Sequence, residues 1–111
     1  METIALTEAV YYILLSLDKP LHGYGIMQNA EALSNGRVRL AAGTLYGALN
    51  TLLDRGWIQT AGQEASARKK EYVITPLGRE AVLRELARLH ELTRNGDLLT
   101  GGWTHESQEG Q

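Results

Sequence analysis

The chain has no cysteine and no phenylalanine, and only two prolines, Pro20 and Pro76. Without thiols there are no disulfides, thiolate metal sites or cysteine nucleophiles, which fits a reducing compartment. His22, His90 and His105 lie too far apart in sequence to suggest a metal set, so no metal is expected. No apolar run approaches the roughly 18 to 20 residues that span a membrane. Glu2 and Glu8 stand where a secretory signal would carry Lys or Arg, so the expected location is the cytoplasm. Gly23, Gly25, Gly43 and Gly47 follow no strand and fit neither the dinucleotide nor the P-loop spacing. Neither a Ser-His-Asp set nor a carboxylate pair is suggested, so neither an enzyme nor a cofactor is expected.

Positive charge is also scarce, with 11 Lys and Arg against 13 Asp and Glu and a net charge of -2. As an average this argues against a nucleic-acid binder, but its distribution says otherwise. Residues 1–36 carry a net -3 and residues 72–111 a net -2, whereas residues 37–71 carry +3. The basic residues of that middle segment are Arg37, Arg39, Arg55, Arg68, Lys69 and Lys70.

What is present is leucine and helical spacing. At 111 residues the chain makes one domain with a modest core, which a dimer interface would help. Leu6, Val10, Ile13, Leu14 and Leu17 predict a first helix, with Thr3 or Thr7 as N-cap and Asp18-Lys19-Pro20 as its end. A second helix runs from about His22, which is expected to cap it, to the stop signal Ser34-Asn35-Gly36. Gly23 and Gly25 weaken its start, which implies close packing of another element there. Arg37-Val38-Arg39-Leu40 alternates and is read as a short edge strand.

The most informative stretch is a third helix around residues 43–55. Leu45, Leu49 and Leu52 make one apolar stripe, leaving Thr44, Tyr46, Gly47, Asn50, Thr51 and Asp54 on a polar, nearly uncharged face. Gly56 is placed to end the helix in a left-handed cap. Residues 57–60 and 71–75 then pair as a hairpin around a long polar loop, followed by the basic run Arg68-Lys69-Lys70. Thr75-Pro76 starts a fourth helix, expected to run to about Asn95-Gly96. Val82, Leu86 and Leu89 form its stripe, widened by Leu83 and Leu92. Glu80 with Arg84 and Arg88 with Glu91 are expected to pair on its wet side. Such a stripe can pack on its own domain or meet the same helix of a second subunit, and projection after a compact unit favours the second. Residues 97–111 read as a flexible tail in which Trp103 stands out.

These residues carry a family likeness. His22-Gly23-Tyr24-Gly25-Ile26, then Gly43-Thr44-Leu45-Tyr46 with Gly56-Trp57-Ile58, then Arg68 through Gly78 resemble the signature blocks of PadR-type transcriptional regulators. The likeness spans roughly residues 6 to 92, and the short single C-terminal helix resembles the smaller subfamily. It implies a mainly α fold with a small β-hairpin (α+β): a winged helix-turn-helix over residues 1–75 and a dimerisation helix over 76–96. It also implies a homodimer that binds double-stranded DNA and represses a promoter until a small ligand or other signal relieves it. Three positions depart from the pattern. Ala41 stands where a capping Ser or Asn is common, Thr51 where many relatives have Arg, and Glu64-Ala65-Ser66-Ala67 where the wing is usually more basic.

Under this reading Thr44, Tyr46, Asn50 and Thr51 contact bases and phosphates, and Gly47 lets the helix backbone approach closely. Arg55, Arg68, Lys69 and Lys70 neutralise phosphates. Val82, Leu86 and Leu89 make the dimer contact, and Leu6, Val10, Leu86 and Leu89 border an effector cavity. Relatives that stack planar drugs on a C-terminal-helix Trp differ here, since Leu89 lies near that position. Tyr72 and Tyr24 are read as packing residues, and Tyr46 as partly buried. The alternative function is a winged-helix protein interaction module that does not touch DNA.

Overall fold

The computed structural model describes residues 5–62 and 70–103. The elements run in the order α1 (Glu8–Ser16), β1 (Leu21–His22), α2 (Gly23–Leu33), α3 (Ala42–Asp54), β2 (Ile58–Ala61), β3 (Glu71–Ile74) and α4 (Pro76–Leu99). Each α-helix starts where the chain supplies a cap, with one exception. Thr7 accepts from the Val10 N–H at 3.1 Å, His22 Nδ1 from the Gly25 N–H at 3.0 Å, and Thr75 from the Gly78 N–H at 3.1 Å. At α3, Ala41 has the extended backbone of a cap and no side chain to bond with.

Ile13, Leu14 and Leu17 of the first helix and its end meet Ile26, Leu45, Leu49 and Leu52 in one core. The sheet closes it with Ile58, Tyr72 and Ile74, and Val82 of α4 completes it. The sheet order is β1-β3-β2, all antiparallel. Ile58 faces Ile74 and Thr60 faces Tyr72 across the hairpin, so alternate side chains of β3 reach the core. Two glycines are demanded by close approach. A Cβ on Gly23 would press into the Tyr46 ring of α3, and one on Gly78 would run into the Trp57 carbonyl. The first fixes the α2–α3 crossing and the second seats α4 on the start of β2. Gly56 takes φ +75°, the left-handed stop expected after α3.

Three expectations are corrected. Residues 37–40 form no strand, because Val38 donates to the Ser34 hydroxyl at 2.7 Å and Arg37 to the Ser34 carbonyl at 3.2 Å. With Asn35 and Gly36 at positive φ, this turn folds back on α2 and no sheet partner is reached. The third strand is instead Leu21–His22, too short to show alternation, paired with Tyr72 and Glu71. Arg88 pairs with Glu85, not Glu91. The fourth helix runs on to Leu99, three residues past the expected stop, so the first residues of the supposed tail are helical.

That helix divides in two. Its buried residues are Gly78, Ala81, Val82 and Glu85, all in the first half, whereas every residue from His90 to Leu99 is exposed. The radius of gyration is 17.1 Å, against about 13 Å for a compact domain of this length.

Candidate nucleic-acid interface

The geometry of α3 follows from how its apolar stripe is spent. Leu45 and Leu49 are fully buried and Leu52 nearly so. Thr44, Tyr46, Gly47, Asn50, Thr51 and Arg55 are therefore all on the exposed side. Within that side Tyr46 is a special case: its ring packs on Gly23 and it lies close enough to Tyr72 to affect that residue's ionisation. Burial is the main cause that pushes the Tyr72 hydroxyl pKa up, with Tyr46 second. Tyr72 is core, as expected, and Tyr46 is shared between packing and surface. Tyr24 is the opposite of its expectation. It is 64% exposed on the first turn of α2, where Gly23, not Tyr24, makes the contact with α3.

Gly47 has nothing within 4 Å of the position a Cβ would take. No packing among the described residues demands a glycine there, and its helix-propensity cost of about 1 kcal/mol goes uncompensated within the fold. The face thus has an open, shallow strip between Thr44 and Thr51.

Charge on this side is sparser than the sequence segmentation suggests. Arg37 is bonded by two nitrogens to Glu8, which holds that carboxyl below its usual range, and Arg39 lies 3.6 Å from Glu31. Two of the basic residues of segment 37–71 are thereby answered by acids of α1 and α2. Arg55 is not in an ion pair among the described residues; its guanidinium lies 5.1 Å from the Trp57 ring centroid. Lys70 is exposed at the start of β3. Arg68 and Lys69 lie outside the described residues, as does most of the loop between β2 and β3.

The residues assigned to dimerisation and to an effector do not stay together. Val82 goes to the domain's own core, Leu86 is exposed and Leu89 is half-buried. Leu6 and Leu89 line one concavity of about 280 Å³ between α1 and α4, with Glu85 and Arg88 in its wall. Val10 lines a different one beside α3, and Leu86 lines neither. Sequence reading missed the Glu85–Arg88 pair. Glu85 is only 3% exposed, bonded to Arg88 at 2.8 and 2.5 Å. Arg88 and, more weakly, the Leu6 N–H hold its carboxyl below the ordinary range against the cost of burial.

A polar helix face after a buried stripe, a glycine stop and an antiparallel hairpin is the frame of a winged helix. Residues 12–84 match the family described as Transcriptional regulator PadR-like. The chain belongs to that family. The PadR-like match starts in α1 and ends in α4, so it includes the whole of α2, α3 and the sheet and stops before the exposed half of α4.

A relative in transposon TN4556 of Streptomyces fradiae, described as an uncharacterized 37.1 kDa protein, is 38% identical over 79 residues. Those residues are 70% of this chain and 22% of that protein, so the chain spans about a fifth of this relative. A solved transcriptional regulator from Clostridium thermocellum superposes with a TM-score of 0.65 at 23% identity, over 86% of this chain and 91% of that one. A PadR family transcriptional regulator from Eggerthella lenta gives 0.63 at 22% identity, over 81% and 75%. At these identities the structural likeness shows the PadR-like fold. Among the described residues no helix is long and apolar enough to cross a membrane.

Proposed function

We propose that this PadR-like regulator binds its operator as a homodimer through the exposed face of α3, acting in the cytoplasm as a repressor that a small molecule releases. The observation that carries the reading is the α3 face itself. Once Leu45, Leu49 and Leu52 are buried, what remains outward is hydroxyl and amide chemistry around a glycine that no packing explains. Asn50 and the threonines suit base edges and phosphates, and Gly47 permits backbone approach. Arg55 and Lys70, with Arg68 and Lys69 in the wing, supply phosphate neutralisation.

Dimerisation supplies what one subunit lacks. Ten exposed residues at the end of α4, including Leu92, Leu98 and Leu99, are a helix without a packing partner among the described residues. Isolated helices of that length are marginal in water, so a second subunit is the support this segment calls for. The α1–α4 concavity, where Glu85 and Arg88 stand beside Leu6 and Leu89, is the place for an effector in this reading.

A mobility shift with the DNA upstream of the protein's own gene tests it. The wild type is expected to retard a fragment with two half-sites about one helical turn apart. Asn50→Ala is expected to lose about tenfold or more for that fragment while keeping its weak affinity for unrelated DNA. No retardation by the wild type at low salt would instead support the interaction-module reading.

A further inference from the structure

His22 stands where three parts of the fold meet. As the last residue of β1 it pairs with Glu71 of β3, the strand that returns from the hairpin loop. As the N-cap of α2 it accepts from the Gly25 N–H through Nδ1 at 3.0 Å. The next residue, Gly23, carries the Tyr46 ring of α3, the helix whose outer face is assigned to DNA. Gly25 has no Cβ to hold the His22 ring off the first turn, and a Cβ there would lie 3.3 Å from His22 Cε1. The side chain is half-buried, so solvent protons reach it.

A histidine cap differs from the threonine caps of α1 and α4 in one chemical respect. A hydroxyl accepts at any pH, whereas Nδ1 accepts only while its lone pair is free. The bond from Gly25 therefore fixes the neutral ring, with its proton on Nε2. A proton on Nδ1 sets N–H against N–H and brings a positive charge to the positive end of α2. Glu71 offers the alternative. Residues directly opposite in an antiparallel pair carry their side chains on the same face, so a ring turned from Gly25 toward the sheet meets that carboxylate. The other titratable groups at this corner are Lys70 beside Glu71 on β3, Tyr24 on the first turn of α2 and Tyr46 across Gly23 on α3. None of them is an anion near neutral pH. Tyr72 lies on the core side of β3.

We propose that His22 is a proton switch between two partners, capping α2 when neutral and pairing with Glu71 when charged, and that the change lowers operator affinity in acid. The consequence for DNA rests on the reading of α3 as the DNA-contacting helix. Loss of the cap frees the first turn of α2, and with it the Gly23 backbone on which Tyr46 rests. The α3 face then loses a fixed support, while the turned ring pulls on β3 and so on the base of the wing. The ion pairs of Glu8 and Glu85 stay intact between about pH 8 and 5, the span in which histidines titrate, since both carboxyls are held below their ordinary range.

The wild type tests the switch first, in ¹H–¹⁵N spectra recorded from about pH 8 to 5.5. The Gly25 amide signal is expected to move with the titration of the His22 ring, and its exchange with water to speed up as the ring charges. A Gly25 signal that stays still while the ring titrates overturns the switch. Glu71→Gln keeps the cap and removes the anion, so at about pH 6 a larger share of its His22 rings is expected to stay neutral. Equal shares overturn the pairing with Glu71. Operator affinity, read by anisotropy at constant ionic strength, is expected to fall about tenfold in the wild type from about pH 7.5 to 5.5. It is expected to change little in His22→Asn, whose amide oxygen caps without titrating. An equal fall in both overturns the link to DNA, and a rise in the wild type alone makes His22 a phosphate contact and overturns it too. Absence of DNA binding at both ends of the range overturns the reading of α3, while the Gly25 signal still decides the switch.

Discussion

At Gly47 the demands of folding and those of the proposed DNA contact can be measured apart. Its Cβ position is empty space, so Gly47→Ala is expected to stabilise the helix by up to about 1 kcal/mol and raise Tm by a few degrees. If the glycine is there for DNA, the same variant loses operator affinity severalfold. Thermal melts and anisotropy titrations read the two effects separately, and a stabilised variant with unchanged affinity would remove Gly47 from the interface. Glu85 makes the second prediction at this scale. Its folded-state pKa is lowered, so its contribution to stability is present above the ordinary glutamate range, near 4, and is lost as pH falls through the lower folded value. Between about pH 5 and 3 the wild-type Tm is expected to fall more steeply than that of Glu85→Gln. Parallel curves would show that the pair with Arg88 carries no such linkage. Neither Glu85 nor Tyr24 was legible in the sequence: on helices both have spacings that fit wet or packed faces, and only the crossing of α1, α2 and α4 decides which.

At the scale of elements, what was legible is what local chemistry fixes. Thr7, His22 and Thr75 cap as their positions suggest, and Gly56 ends α3 at positive φ. Residues 37–40 misled because alternation over four residues is also what a turn tied to Ser34 produces. β1 was invisible because two residues carry no period, and its pairing with β3 spans about fifty positions. The fourth helix was read correctly as projecting, yet its stripe was read as uniform. Val82 belongs to the core, while Leu92, Leu98 and Leu99 have no cover among the described residues. The dimer contact is therefore expected to lie further along the helix than the stripe suggested. Leu92→Glu with Leu98→Glu is expected to convert a dimer to a monomer in light scattering and to lower helicity by circular dichroism, leaving the core intact. A variant that stays dimeric would move the interface elsewhere.

For the molecule as a whole, shape and charge point the same way. An elongated chain with a radius of gyration of 17.1 Å leaves half of a helix outside its one core. The side proposed to face DNA carries few free cations, since Arg37 and Arg39 are tied to Glu8 and Glu31. On the proposed reading one subunit offers selective groups with little electrostatic affinity, and a second subunit would double the phosphate contacts. The salt dependence of operator affinity measures that directly. With about four phosphate contacts per subunit, a dimer gives a log-log slope of roughly -7, and the monomeric Leu92→Glu, Leu98→Glu variant about half that. A slope near zero, or the same slope for the dimer and the monomeric variant, would contradict the account.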